Sequence, residues 1–231
     1  MISWECWKPE TQPSGPFAAS TPSKVGITKI PAKPQPWQTD TCIADWLYNE
    51  KFFREHLYKS AASVIRMLAD IVSKNGNLML SVPLRGDGTP DSDEIEIVKG
   101  IGAWLKVNGE AIYATRPWKI YGEGPSTTRK EKGQFDGQAD VQKKPFTSED
   151  IRFTQSKDSK TLYALLLDLP TSEIRIKLLA REIIADVKLL GGKEKTIWRS
   201  EPDALVIQPP RKWPCQYAVA WKITFAKTDS K

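Results

Sequence analysis

The chain has 231 residues, 40% of them hydrophobic and 27% charged, which is enough for one large domain or two small ones with a sizeable core. Its net charge of +6 comes from basic residues interleaved with acids, densest in residues 127–133 (TTRKEKG), and this lacks the clustered patch of a nucleic-acid binder. No run of about 18 apolar residues occurs, so no membrane-spanning helix is expected, and residues 1–15 have neither the basic nor the apolar region of a secretory leader.

Residues 1–36 are proline-rich and cannot form a core, so an irregular segment is expected there, extended through KIPAKPQPW (residues 29–37). The next stretch, WQTDTCIADWLYN (residues 37–49), packs aromatic and acidic groups together. It suits either a sugar-binding rim or a hydrophobic anchor. A helix is expected over residues 60–74, where Val64, Met67, Leu68, Ile71 and Val72 share one face. Asn75-Gly76 should end it. NLMLSVPL (residues 77–84) suits a strand buried on both faces, as in a parallel sheet. Gly86-Asp87-Gly88 lies just beyond that strand's C-terminal end, where ligands gather in α/β folds. A second helix should begin near Asp91, a suitable N-cap, bury Ile95, Val98, Ile101 and Leu105, with Trp104 beside them, and stop at Asn108-Gly109.

Residues 122–145 are polar and glycine-containing, a linker or long hairpin. Beyond them the period changes. Seven short segments, IRFTQS, TLYALLLDL, EIRIKLL, ADVKLLG, TIWR, DALVIQP and YAVAWKITFA, are separated by turn signals and suggest an antiparallel β-sandwich. Trp221 alternates with Ile223 and Phe225 and should share their inward face. The fold class is therefore α/β followed by all-β. Cys6, Cys42 and Cys215 lie far apart with no CxxC, and His56 is the lone histidine, so a Cys/His metal site is not expected.

Three blocks in order, WQTDTCIADWLYN, the stretch from NGNLMLSVPLRGDG to WKIYGEGP, and FTSEDIRFTQSKDSKTLYALLLDLP, closely resemble the α-L-fucosidases of glycoside hydrolase family 29. The resemblance runs from about Trp37 to the C-terminus. It implies a (β/α) barrel followed by a C-terminal β-sandwich, and a retaining glycosidase that removes terminal α-L-fucose from fucosylated glycans without a metal or cofactor. It also implies a secreted, periplasmic or lysosomal setting; the scattered charge and the lack of a long apolar run argue for no nucleic-acid or membrane partner, and the oligomeric state stays open. A complete barrel takes roughly 250 residues, so a partial (β/α) barrel over residues 37–121 is expected, with a linker at 122–145, a sandwich at 146–231, and a truncated or inactive form of the enzyme.

Retention requires two carboxyl groups about 5–5.5 Å apart. No residue matches the family's nucleophile motif. Trp4-Glu5 is similar to a Trp-Glu element of some members, which makes Glu5 the weak candidate for a catalytic carboxylate. Relatives often read Trp-His-Tyr where Trp46-Leu47-Tyr48 stands, and often place Asn where Ser81 stands. The candidates for substrate binding are Trp37 and Trp46, as rings that stack on a pyranose or as core aromatics, the carboxylates Asp40, Asp45 and Asp87, and Arg85. Trp104 and Trp118 are read as core. Trp198, Trp213 and Trp221 are read as sandwich core, with a carbohydrate platform as the alternative. The rival function is a non-catalytic carbohydrate-binding or scaffold module built on the sandwich.

Overall fold

The computed structural model of the protein describes residues 35–128 and 146–226. Glu5 and Cys6 lie outside the described residues. The first element, β1 (Trp37–Cys42), pairs in parallel with β2 (Gly76–Ser81), Trp37 beside Gly76 and Cys42 beside Ser81. Between them come a short helix α1 (Glu50–Arg54) and α2 (Ala61–Ser73), and after β2 comes α3 (Ser92–Asn108). Helix α2 begins at an N-cap, Ser60, whose hydroxyl accepts from the Ser63 amide. It ends where Asn75 takes the left-handed conformation, φ 70°. Gly76 serves a different purpose. A Cβ there would lie 2.6 Å from the Trp37 ring and 2.7 Å from Ile71, so only glycine lets the indole close over the start of β2.

The remaining strands are antiparallel. They are β3 (Thr115–Glu123), β4 (Ile151–Ser156), β5 (Thr161–Leu166), β6 (Ile174–Ile176), β7 (Ile184–Leu189), β8 (Trp198–Glu201), β9 (Ala204–Ile207) and β10 (Val219–Phe225). They form a five-stranded sheet in the order β3-β4-β5-β10-β7 and a three-stranded sheet in the order β6-β9-β8. All seven expected strands are present. An eighth, β3, crosses the 121 boundary drawn from composition and pairs with β4, so the sheet takes in residues read as the end of the α/β part.

The five-stranded sheet is covered on both faces. Leu162, Ala164 and Leu166 of β5 join Phe153, Val187 and Trp221 in the core shared with the three-stranded sheet. Tyr163, Leu165 and Leu167 face the other way, onto Ala61, Ile65 and Ala69 of α2 and Trp104 of α3. Burial on two sides is why residues 162–167 read as a continuous apolar run instead of an alternating one. It also explains α2, which packs on β2 with one flank and on the sandwich with another. The buried stripe is therefore Ala61, Val64, Ile65, Ala69 and Ile71, while Met67, Leu68 and Val72 are only partly covered.

Polar side chains lock the layers. Arg152, 1% exposed, bonds Asp70 of α2, the Ser126 hydroxyl and its neighbour's carbonyl, and its guanidinium lies 5.4 Å from the ring centroids of both Tyr121 and Phe146. Arg66 of α2 donates to the Leu167 carbonyl and to Asp168. Glu123 accepts from the Lys177 and Leu178 amides and so links β3 to the turn after β6.

Two expectations about burial are corrected. β2 is covered on one face only, since α2 lies on one side of the β1–β2 pair, and Met79 on the other side is 49% exposed. In α3 the core residue is Trp104, 2% exposed, while Ile95 and Val98 face solvent. The C-terminal half of α3 alone lies on the sandwich, through Trp104 and Asn108, which bond the Ala218 carbonyl and the Ala220 amide.

Candidate active site

The parallel pair directs two loops to the same end, residues 43–49 after β1 and 82–91 after β2. Backbone bonds hold the first loop to the sheet: the Ile43 amide donates to the Ser81 carbonyl, and the Lys59 amide returns to the Ile43 carbonyl. The buried Lys59 ammonium donates to the Cys42 carbonyl at 2.7 Å, fixing the point where β1 ends. Cys42 and Cys215 are free thiols; burial pushes the Cys42 thiol above its ordinary pKa, against the opposing pull of Lys59.

Arg85 joins the two loops. Its guanidinium lies 5.8 Å from the centroid of the Tyr48 ring and 5.6 Å from that of Phe53 on α1. A hydrogen bond with Tyr48 holds it more firmly charged. Trp46, 56% exposed, and Leu47 stand out from the first loop beside this contact. Asp45 accepts from the Trp46 amide at 2.8 Å. Asp87 closes its own turn, accepting from both the amide and the hydroxyl of Thr89, and these bonds lower its pKa.

Asp45, Trp46, Arg85 and Asp87 are thus brought to one rim. Trp37 and Asp40 are not. Trp37 stands at the opposite end of β1, with its indole N–H given to the Lys74 carbonyl. Asp40 lies on the open face of the sheet, bonded by the Gln38 amide and paired in register with Met79.

Behind the rim sits a polar cluster that sequence patterning marks only in part. Asp91 caps α3 in a reciprocal box with Glu94, each carboxylate accepting from the other's amide. The Tyr58 hydroxyl donates to the second Asp91 oxygen at 2.5 Å, and burial followed by that contact pushes its pKa well up. Burial also raises the Glu94 carboxyl, one oxygen of which has no partner among the described residues. The D-x-x-E spacing signals the cap, but nothing local signals Tyr58, which arrives from 33 residues upstream. Asp91→Ala is expected to cost about 1–2 kcal/mol, read as a lower urea midpoint with an unchanged slope.

The candidate carboxylates are each engaged by a nearby amide or hydroxyl, Asp45 by Trp46, Asp87 by Thr89 and Asp40 by Gln38, as is the cap Asp91 by Glu94 and Tyr58, while Glu94 keeps one oxygen without a partner among the described residues. The rim offers an aromatic surface and a positioned cation.

Comparison with known proteins identifies the family. Residues 16–110 match the α-L-fucosidase family model, and residues 142–225 match the model of the α-L-fucosidase C-terminal domain, together most of the chain. The plasma α-L-fucosidase of Rattus norvegicus is 29% identical over 178 residues, 74% of this chain and 33% of that protein. The human plasma α-L-fucosidase is 28% identical over 174 residues, 72% of this chain and 32% of that one. The crystal structure of Thermotoga maritima α-fucosidase, in complex with a mechanism-based inhibitor, superposes with a TM-score of 0.65 at 25% identity, over 83% of this chain and 40% of that one. The α-L-fucosidase isoenzyme 1 of Paenibacillus thiaminolyticus superposes with a TM-score of 0.62. The chain spans about a third of the length of the curated relatives it matches. With both family models matched in order and the fold shared with solved fucosidases, the chain belongs to the α-L-fucosidase family, glycoside hydrolase family 29.

Proposed function

We propose that this polypeptide supplies one wall of a fucoside pocket, as a portion of a retaining α-L-fucosidase. In this reading β1–α2 and β2–α3 are two units of a (β/α) barrel, and the sandwich buttresses them from outside. The observation that carries it is the parallel β1–β2 pair, with helix α2 on one face and two loops converging at the C-terminal strand ends, which is where barrel enzymes build their sites. Each of these strands has one paired neighbour among the described residues, and further strands would dock on their free edges. Trp46 and Asp45 would face a terminal fucose of a glycan, with Arg85 positioning the loop through Tyr48.

The same geometry argues that the polypeptide alone is inactive. Hydrolysis with retention needs an opposed nucleophile and acid/base pair about 5–5.5 Å apart, and among the described residues the rim brings only Asp45 and Asp87, each already tied into its own turn. Purified chain incubated with nitrophenyl α-L-fucoside is expected to release no nitrophenol above background. Sustained turnover would overturn this part of the proposal. Activity that appears only on mixing with a polypeptide carrying the other β/α units of a family barrel would support it.

A further inference from the structure

A cleft of about 640 Å³ opens in the sandwich, far in sequence from the rim, between the β7–β8 and β9–β10 connections. Its size falls in the range of small-ligand sites, about 300–1,000 Å³. The floor is aromatic. Trp221 is fully buried, and Trp213 stands edge-on against it with ring centroids 5.8 Å apart. Trp213 remains partly exposed, and the buried Trp221 Nε1 has no hydrogen-bond partner among the described residues. A buried donor without an acceptor is uncommon in a folded protein. Ile197, Pro209 and Pro210 extend the apolar lining.

The mouth is cationic. Lys193, Lys195, Arg211 and Lys212 line it against a single carboxylate, Glu194. None of the four cations makes an ion pair among the described residues. Glu194 accepts a long 3.4 Å contact from the Arg211 amide. Other exposed cations of the sandwich also lack an ion pair among the described residues, including Arg116, Lys157, Lys177 and Arg181, but they are scattered, whereas these four line one cleft; Arg199 and Arg175 are matched, with Glu173 and Glu201 and with Glu201 and Asp203. An unmatched group of cations around an apolar aromatic floor fits a ligand with a flat apolar face and a negative charge.

We propose that this cleft binds an acidic saccharide, a pyranose bearing a carboxylate or a sulfate. The ring's C–H face would stack on Trp213, and the anion would meet the lysines and arginine at the mouth. A peptide adding to a sheet edge is disfavoured, because Leu189 is the only lining residue from either edge strand, β7 or β8. The choice of a saccharide rests on the glycosidase reading above.

The test is titration of the purified chain, followed by tryptophan fluorescence and calorimetry, with sialyllactose, galactose 6-sulfate, neutral lactose and poly-glutamate. At least one acidic sugar is expected to bind about tenfold or more tightly than lactose, with affinity falling as salt rises from about 50 to 500 mM. The better of the two identifies carboxylate or sulfate as the anion. The double variant Lys195→Gln, Arg211→Gln, on exposed side chains that leave the core intact, should lose most of this binding at an unchanged melting temperature. Trp213→Ala should lose the fluorescence change. Acidic and neutral sugars binding alike or not at all, poly-glutamate binding as tightly as the best sugar, or undiminished binding by the double variant would each overturn the proposal. The fucoside assay needs no ligand in this cleft, so failure here leaves the pocket-wall reading standing, and failure there leaves the cleft.

Discussion

Arg152→Met is expected to cost about 3 kcal/mol of folding stability, because Asp70 then keeps Lys74 as its one ion partner and the Ser126 hydroxyl loses its donor. Arg152 is the link between α2 and β4: its Nε bonds Asp70, its Nη2 donates to Ser126, and Tyr121 and Phe146 flank its guanidinium. Burial acts to raise the Asp70 carboxyl, but Arg152 and Lys74 outweigh it and hold its pKa below the usual range. A carboxylate depressed in the folded state contributes stability above its unfolded pKa of about 3.9, and that contribution is lost as pH falls through the lower folded value. In the variant Lys74 alone opposes burial, so this contribution shrinks. The gap between wild type and variant should therefore be widest at neutral pH and should narrow in acid. Urea titrations at neutral pH and near pH 3.5 measure both; equal midpoints at neutral pH would refute the role assigned to the pair.

Trp104→Ala should cost about 3–5 kcal/mol. The ring fills the space between α3, α2 and the outer face of the five-stranded sheet, and its N–H donates to the Ala218 carbonyl at 2.7 Å. Trp104→Phe separates packing from hydrogen bonding, since it leaves that carbonyl with only the weak 3.4 Å contact from the Cys215 thiol, at about 1 kcal/mol. Because the helices and the sandwich share this core, the wild-type chain is expected to unfold in one step, with fluorescence and circular dichroism tracing the same curve. Two separated transitions in the wild type would show that the helical part and the sandwich are energetically independent.

Local chemistry made much of this architecture legible. The Ser60 cap, the Asn75 terminator and the Asp91 cap act within a few residues of themselves, so α2 and α3 begin and end where the patterning puts them. The seven sandwich strands followed from the turn signals between them. What escaped the sequence was set by distant partners. β3 contains Pro117 and is polar near its end, and only pairing with β4 makes it a strand. Trp104 outranks Ile95 and Val98 because the sandwich happens to meet the last two turns of α3. The rim was legible as a cluster in residues 45–49 and 85–88, but not the Arg85–Tyr48–Phe53 contact that ties it together. Trp37 has the composition of a sugar-stacking residue, and its position at the wrong end of β1 becomes visible only with the register.

Helix α3 also sets a distance. Its first residue is capped beside the rim by Asp91, and near its last turn Val107 is wedged against Gly191, whose φ of 70° and close fit exclude a side chain at the edge of the sandwich cleft. Seventeen residues at about 1.5 Å each make a strut of roughly 25 Å. A short oligosaccharide cannot touch both of its ends at once. A branched glycan could, with one antenna at each, and the helix would then select among such molecules by the reach between their branches.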